Sequence, residues 1–145
     1  MKRFLPCGAL VLVLGCVAPS SERVPLRPLP ENGQVLPYAE LLTRIRGQAN
    51  AASEAFYLDH WNDLEDMAKG IEQTSRFLSK AEEVPEKNRK ILKDVTDDLS
   101  KSAQKLREAA AAHNVKETTD ALQKIIAKVR DLRLTDTSNE PPKKD

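Results

Sequence analysis

Residues 91–133 read ILKDVTDDLSKSAQKLREAAAAHNVKETTDALQKIIAKVRDLR, and this stretch decides the fold. Apolar side chains recur at intervals of three and four: Ile91, Leu92, Val95, Leu99, Ala103, Leu106 and Ala110. After a short break the rhythm resumes at Leu122, Ile125, Ile126, Val129 and Leu132. Such spacing puts the apolar groups on one stripe of a helix and the charges opposite. Asn114 with Glu117 three residues later has the form of a capping box, which opens the second of these helices. Arg130 and Arg133 fall in its last turn, where cations complement the helix dipole. Two amphipathic helices joined by so short a link must run antiparallel.

Upstream, the same pattern appears twice more. One set is Tyr38, Leu41, Leu42, Ile45, Ala49, Ala52 and Phe56; the other is Trp61, Leu64, Met67, Ala68, Ile71, Ser75 and Leu78. Between Tyr38 and Arg133 Pro85 is the only proline, and Gly47 and Gly70 are the only glycines. Pro37 suits the first turn of a helix, and Glu82 to Pro85 marks a firm break. No glycine or proline marks the boundary near Tyr57 to Asp59. One long helix from 37 to 80, giving a three-helix protein or a dimer, competes there with two separate helices. Four segments with short connections predict an all-α, antiparallel up-down-up-down four-helix bundle over residues 38–133. Small residues at core positions (Ala49, Ala52, Ala68, Ala103, Ala110) permit close helix approach.

Two stretches resemble the four-helix cytochromes, namely cytochrome c-prime and the soluble b-type bundle cytochrome. Residues 60–81, HWNDLEDMAKGIEQTSRFLSKA, carry a tryptophan and spaced alanines as their second helix does. Residues 109–133, AAAAHNVKETTDALQKIIAKVRDLR, share the short third connection and the basic final helix. The resemblance implies the bundle fold. It also implies where haem ligands would stand: a histidine near the end of the last helix, with Cys-x-x-Cys-His in c-type members, and in some a methionine early in the first helix. Here residues 128–133 are KVRDLR, and the first helix offers Leu41, Leu42 and Ile45. Arginine does not serve as an iron ligand. Met67 lies in the second helix and reads as core filler. The resemblance thus implies the fold without the cofactor.

The N-terminus, MKRFLPCGALVLVLGC, has a positive start at Lys2 and Arg3, a short apolar run and small residues before Cys16. About ten apolar residues fall well short of the ~20 that span a bilayer as a helix, so this reads as a cleavable signal. Ending in VLGC, it resembles the lipobox of bacterial lipoproteins. That resemblance implies cleavage between Gly15 and Cys16 and acylation of Cys16. More than one acyl chain is needed for stable anchoring, at ~0.8 kcal/mol per buried methylene. Val17 stands where an aspartate often marks inner-membrane retention, which favours the outer membrane in a Gram-negative envelope. Residues 16–37 hold Pro19, Pro25, Pro28, Pro30 and Pro37 and show no apolar period, as expected of a tether. Twenty such residues reach ~60 Å when extended and ~25 Å when coiled. Residues 134–145 form a polar tail predicted to fray.

The 23 basic residues nearly balance the 22 acidic ones, which gives no support for a nucleic-acid partner. By the lipobox resemblance Cys7 would leave with the signal and Cys16 would carry lipid, so no thiol would remain for disulfides, metal clusters or catalysis. No glycine-rich phosphate loop or hydrolase motif occurs. His60 and His113 are predicted at one end of the bundle, with Asp59, Asp63 or Glu117 near; histidine with carboxylate is the chemistry of zinc or copper. Both also stand at helix ends, where exposed histidines are ordinary. Asp63, Glu65 and Asp66, and Asp94, Asp97 and Asp98, read as solvated faces, because no Glu-x-x-His pair accompanies them. Phe56, Tyr57 and Trp61 cluster at one helix junction, as an apolar plug or as a partner-binding patch. The apolar stripes carry almost no polar residues, which speaks against an enzyme.

The expectation is therefore a non-catalytic lipoprotein anchored to the cell envelope, with a structural or interaction role. Its partners would be the membrane, through Cys16, and an envelope protein. No catalytic residue, cofactor or metal site is expected. The alternative is a small-ligand, haem or metal binder of the cytochrome c-prime type.

Overall fold

The computed structural model describes Leu29 and residues 36–133. The expected signal, Cys16, most of the tether and the polar tail lie outside these residues. Four helices follow in order: α1 Tyr38–Tyr57, α2 Trp61–Leu78, α3 Glu86–Ala111 and α4 Val115–Asp131. Each packs against its neighbours in sequence, and α4 returns to α1, while the diagonal pairs stay apart. This closed ring is an antiparallel four-helix bundle, and α1 and α2 are separate helices.

The turns explain why that separation left so little trace in the sequence. Leu58 to His60 and Ala112 to Asn114 are built alike. In the first, Asp59 N–H donates to Phe56 O (3.2 Å) and His60 N–H to Ala55 O (2.9 Å). In the second, His113 N–H donates to Ala110 O (3.0 Å) and Asn114 N–H to Ala109 O (2.9 Å). This is the pair of bonds that ends a helix through a left-handed residue. Glycine usually fills that position, but here Asp59 has φ 55° and His113 φ 51°. Aspartate and histidine are among the side chains that tolerate it best. The residue after each then caps the next helix, so one helix ends and another begins within three residues.

Asn114 Oδ1 accepts from Glu117 N–H at 3.2 Å, which realises one half of the predicted capping box. Asn114→Ala is expected to remove about 1 kcal/mol of stability. Thermal unfolding followed by circular dichroism would show a midpoint lower by roughly 4–8 °C. Pro85 caps α3, as the break predicted at residues 82–85 requires.

The core is built from the predicted stripes, with two corrections. Ile91 is 39% exposed and Ile126 49% exposed. Each sits next to a buried residue, Leu92 or Ile125. Neighbours on a helix point ~100° apart, and at these two positions the adjoining helices cover one of the pair and leave the other facing outward. Polar residues also occupy the interior more than the stripes implied: Gln48, Thr74, Ser75, Asn88, Thr96, Ser102 and Thr118 are buried. Gln48 lies where α1 meets α2. A Cβ on Gly70 would come within 2.8 Å of its amide nitrogen, so the glycine makes room for that side chain.

At the end where α1 begins, a buried polar knot joins three helices. Tyr38 Oη donates to Leu132 O at 2.7 Å, and Asn88 Nδ2 donates to Tyr38 Oη at 2.8 Å and to Leu132 O at 3.3 Å. Leu29 and Leu36, both assigned to the tether, pack against the core.

Candidate functional site

The opposite end of the bundle gathers the aromatic and histidine residues singled out in the sequence. Trp61 opens α2, and His113 stands in the turn before α4. Their rings stack at 4.9 Å with planes 12° apart. Phe56 meets Trp61 edge to face at 5.8 Å, and Tyr57 lies tilted against Phe56 at 6.1 Å. Such pairs contribute ~0.5–1.5 kcal/mol beyond the area they bury.

Phe56 and Trp61 are half-buried against the core and do close this end. Tyr57 does not belong to a plug: it is 84% exposed. Leu58, at 56%, and Val115, at 58%, are also exposed. Leu58 lies in the first turn and Val115 directly follows the second. The end therefore combines a fixed aromatic stack with exposed apolar groups around it.

His60 and His113 line one shallow recess together with Asp59, Trp61, Asn62 and Asp63. The predicted approach of the histidines to a common place is thus observed, and Asp59 and Asp63 share it. Glu117 does not; it lines a separate recess between α3 and α4 with Lys105 and Lys124. His60 Nδ1 lies 3.4 Å from Asp63 Oδ2, on the first turn of α2. One ring of the pair is thus engaged by an aromatic stack and the other by a carboxylate. Among the described residues, no group of three or more His, Cys, Asp or Glu side chains is placed to hold a metal ion.

Three of the other acidic residues singled out, Glu65, Asp66 and Asp98, have cationic partners. Lys69 Nζ reaches Glu65 at 3.0 Å and Asp66 at 3.1 Å. Lys128 Nζ reaches Asp98 at 2.7 Å, which ties α4 to α3. The lysine holds the Asp98 carboxyl below its usual pKa, and the Lys128 ammonium is raised in turn, in both cases chiefly through their hydrogen bond. Asp94 and Asp97 face water.

At the positions where the resemblance places haem ligands, the described residues offer none. Leu41, Leu42 and Ile45 are completely enclosed in the core, and Arg130 and Arg133 point to solvent. Met67 is half-buried and packs against the core. No helix of the described residues is long and apolar enough to cross a membrane. No known protein family, curated protein or solved structure matches this chain. The fold and the geometry of this end therefore carry the functional argument.

Apart from Ser75, which stands on the second stripe, sequence reasoning missed the buried polar residues. Gln48 Oε1, Thr74 Oγ1 and Thr118 Oγ1 are buried without a hydrogen-bond partner. A buried polar group left unpaired costs ~1–3 kcal/mol. Their polarity placed them outside the stripes, although each sits at helical spacing from an apolar core residue: Gln48 from Ile45, Thr74 from Ile71, Thr118 from Leu122.

Proposed function

We propose that this chain is a lipid-anchored, extracytoplasmic lipoprotein with a non-catalytic interaction role. Cys16 would carry the anchor, and the Trp61 end of the bundle would meet a protein partner in the cell envelope. The observation that carries the reading is the exposure of Tyr57, Leu58 and Val115 together at the end opposite the start of α1. A tether attached before α1 would leave that end facing away from the membrane. The lipobox-like VLGC supports the anchor, and the absence of any further cysteine after Cys16 supports a role without thiol chemistry. The aromatic stack holds the surface rigid, which lowers the entropy a partner must remove on binding.

A photocrosslinking residue at Tyr57, in the full chain expressed in a host that acylates lipoproteins, tests both parts. The expected result is an acylated N-terminal fragment by mass, recovery in the membrane fraction and a discrete adduct at Tyr57. The same residue at exposed Asn50, on the flank of α1, should give none. Cys16→Ser should release the protein from the membrane, because the acyl chains supply the anchoring energy. Unmodified Cys16 would overturn the anchor. Equal crosslinking from Tyr57 and Asn50 would overturn the assigned face.

A further inference from the structure

We infer that α2 carries a main-chain docking site whose occupant is this chain's own tether at Leu29, so that the tether has a seated and a released length. The site centres on Gln73. Its Oε1 accepts from the Leu29 N–H at 2.9 Å, and its Nε2 donates to the Leu29 carbonyl at 2.8 Å. A carboxamide offers one donor and one acceptor, so it matches the N–H and C=O of a single residue. That match reads the main chain and ignores the side chain. Register comes from elsewhere: the Leu29 side chain packs, half-buried, against the core.

The sequence is suited to this seat. Leu29 stands between Pro28 and Pro30. Neither proline has an N–H, so Leu29 supplies the only main-chain donor of the three. The following proline also biases Leu29 toward extended backbone, so less freedom is lost when the segment docks. In an extended residue the N–H and C=O point to the same side, as a bidentate carboxamide requires. Phe77, one turn beyond Gln73, lines a recess there with Arg76 and Lys80. The seat therefore adjoins open, partly apolar surface.

Two half-buried hydrogen bonds and one leucine hold the segment, so seating is only modestly favoured. Seated, Leu29 is fixed to α2. Released, residues 29–35 can add to the span of the tether, by about 25 Å at full extension, while Leu36 keeps its own packing against the core. The docking itself is independent of how the N-terminus is held; the change in standoff from a membrane rests on the lipid anchor proposed above.

Amide hydrogen exchange on the protein with its tether intact tests the seat. The Leu29 amide should exchange well below the free-peptide rate. Gln73→Ala should accelerate it by roughly 30-fold, from the net worth of two hydrogen bonds. Gln73→Glu keeps the acceptor and removes the donor, so it should give roughly fivefold. Core amides of α1–α4 should stay protected in both variants, which separates release of the tether from unfolding. A Leu29 amide that exchanges at the free-peptide rate in the unaltered protein would overturn the inference. So would protection that survives Gln73→Ala. Neither result depends on Cys16, whose acylation is read separately by mass.

Discussion

Leu99→Ala is expected to lower the unfolding free energy by about 3 kcal/mol, within the range of roughly 2–5 kcal/mol found for such truncations. Leu99 is wholly buried near the middle of α3, and α3 packs on both α2 and α4. Truncation therefore opens a cavity inside the bundle, and packed helices collapse poorly into the space left. In a domain of about a hundred residues the loss should shift the thermal midpoint by roughly 12–24 °C. Total stabilities of small domains are ~5–15 kcal/mol, so the variant would retain the fold with little margin. Ile91→Ala and Ile126→Ala provide the contrast. Both residues share the heptad-like rhythm with Leu99 but are partly exposed, and each change should cost less than about 1 kcal/mol. Denaturant unfolding measures all three. Equal losses at Leu99 and Ile91 would mean that α3 is rotated from the orientation described.

That contrast marks the limit of what periodicity alone conveys. The rhythm of threes and fours identifies a stripe, but where two apolar residues adjoin, it does not say which one the neighbouring helices cover. The choice at 91/92 and 125/126 is made by the packing of the whole ring. Helix starts were legible where local chemistry decides them. Asn114 accepts from the Glu117 N–H, and Pro85 cannot continue the helix before it. The end of α1 was not legible, because Asp59 does the work for which glycine is the usual sign. The same turn at His113 was readable only through Asn114 behind it.

The candidate site divides in the same way. A four-helix topology places the start of α2 beside the end of α3, so the meeting of His60 and His113 in one recess follows from connectivity. The stacking of His113 on Trp61 needs the left-handed φ of His113 and could not be read from spacing. Tyr57 and Phe56 are adjacent and equally aromatic, yet one is exposed and the other packs on the core. Helix phase separates them, as it does the paired isoleucine positions. The contact of Leu29 with Gln73 joins residues 44 positions apart through a main-chain group, and a proline-rich composition conceals such a contact.

Tyr38→Ala should be the most destabilising single change at the start of the bundle, at about 4 kcal/mol. Tyr38 is among the largest fully buried side chains, and its hydroxyl is the centre of the knot between α1, α3 and the end of α4. Tyr38→Phe isolates the polar part. It leaves the Leu132 carbonyl with only the 3.3 Å contact from Asn88, and it takes from Asn88 its nearer acceptor. The expected loss is about 1–2 kcal/mol, the cost of leaving buried groups poorly paired. Asn88→Ala in the same background should add less than it does alone, because the two residues share their partners. Alkaline pH supplies an independent reading. Burial raises the Tyr38 pKa above the ordinary 10.0, opposed by the Asn88 hydrogen bond and the charge of Arg46. The unfolded phenol then loses its proton at lower pH than the folded one. Stability from this group is fully present below pH 10 and declines as pH rises towards the folded value. The advantage of the natural protein over Tyr38→Phe should therefore narrow above about pH 10. A constant difference across that range would show that the Tyr38 hydroxyl ionises in the folded protein as freely as it does in the unfolded chain.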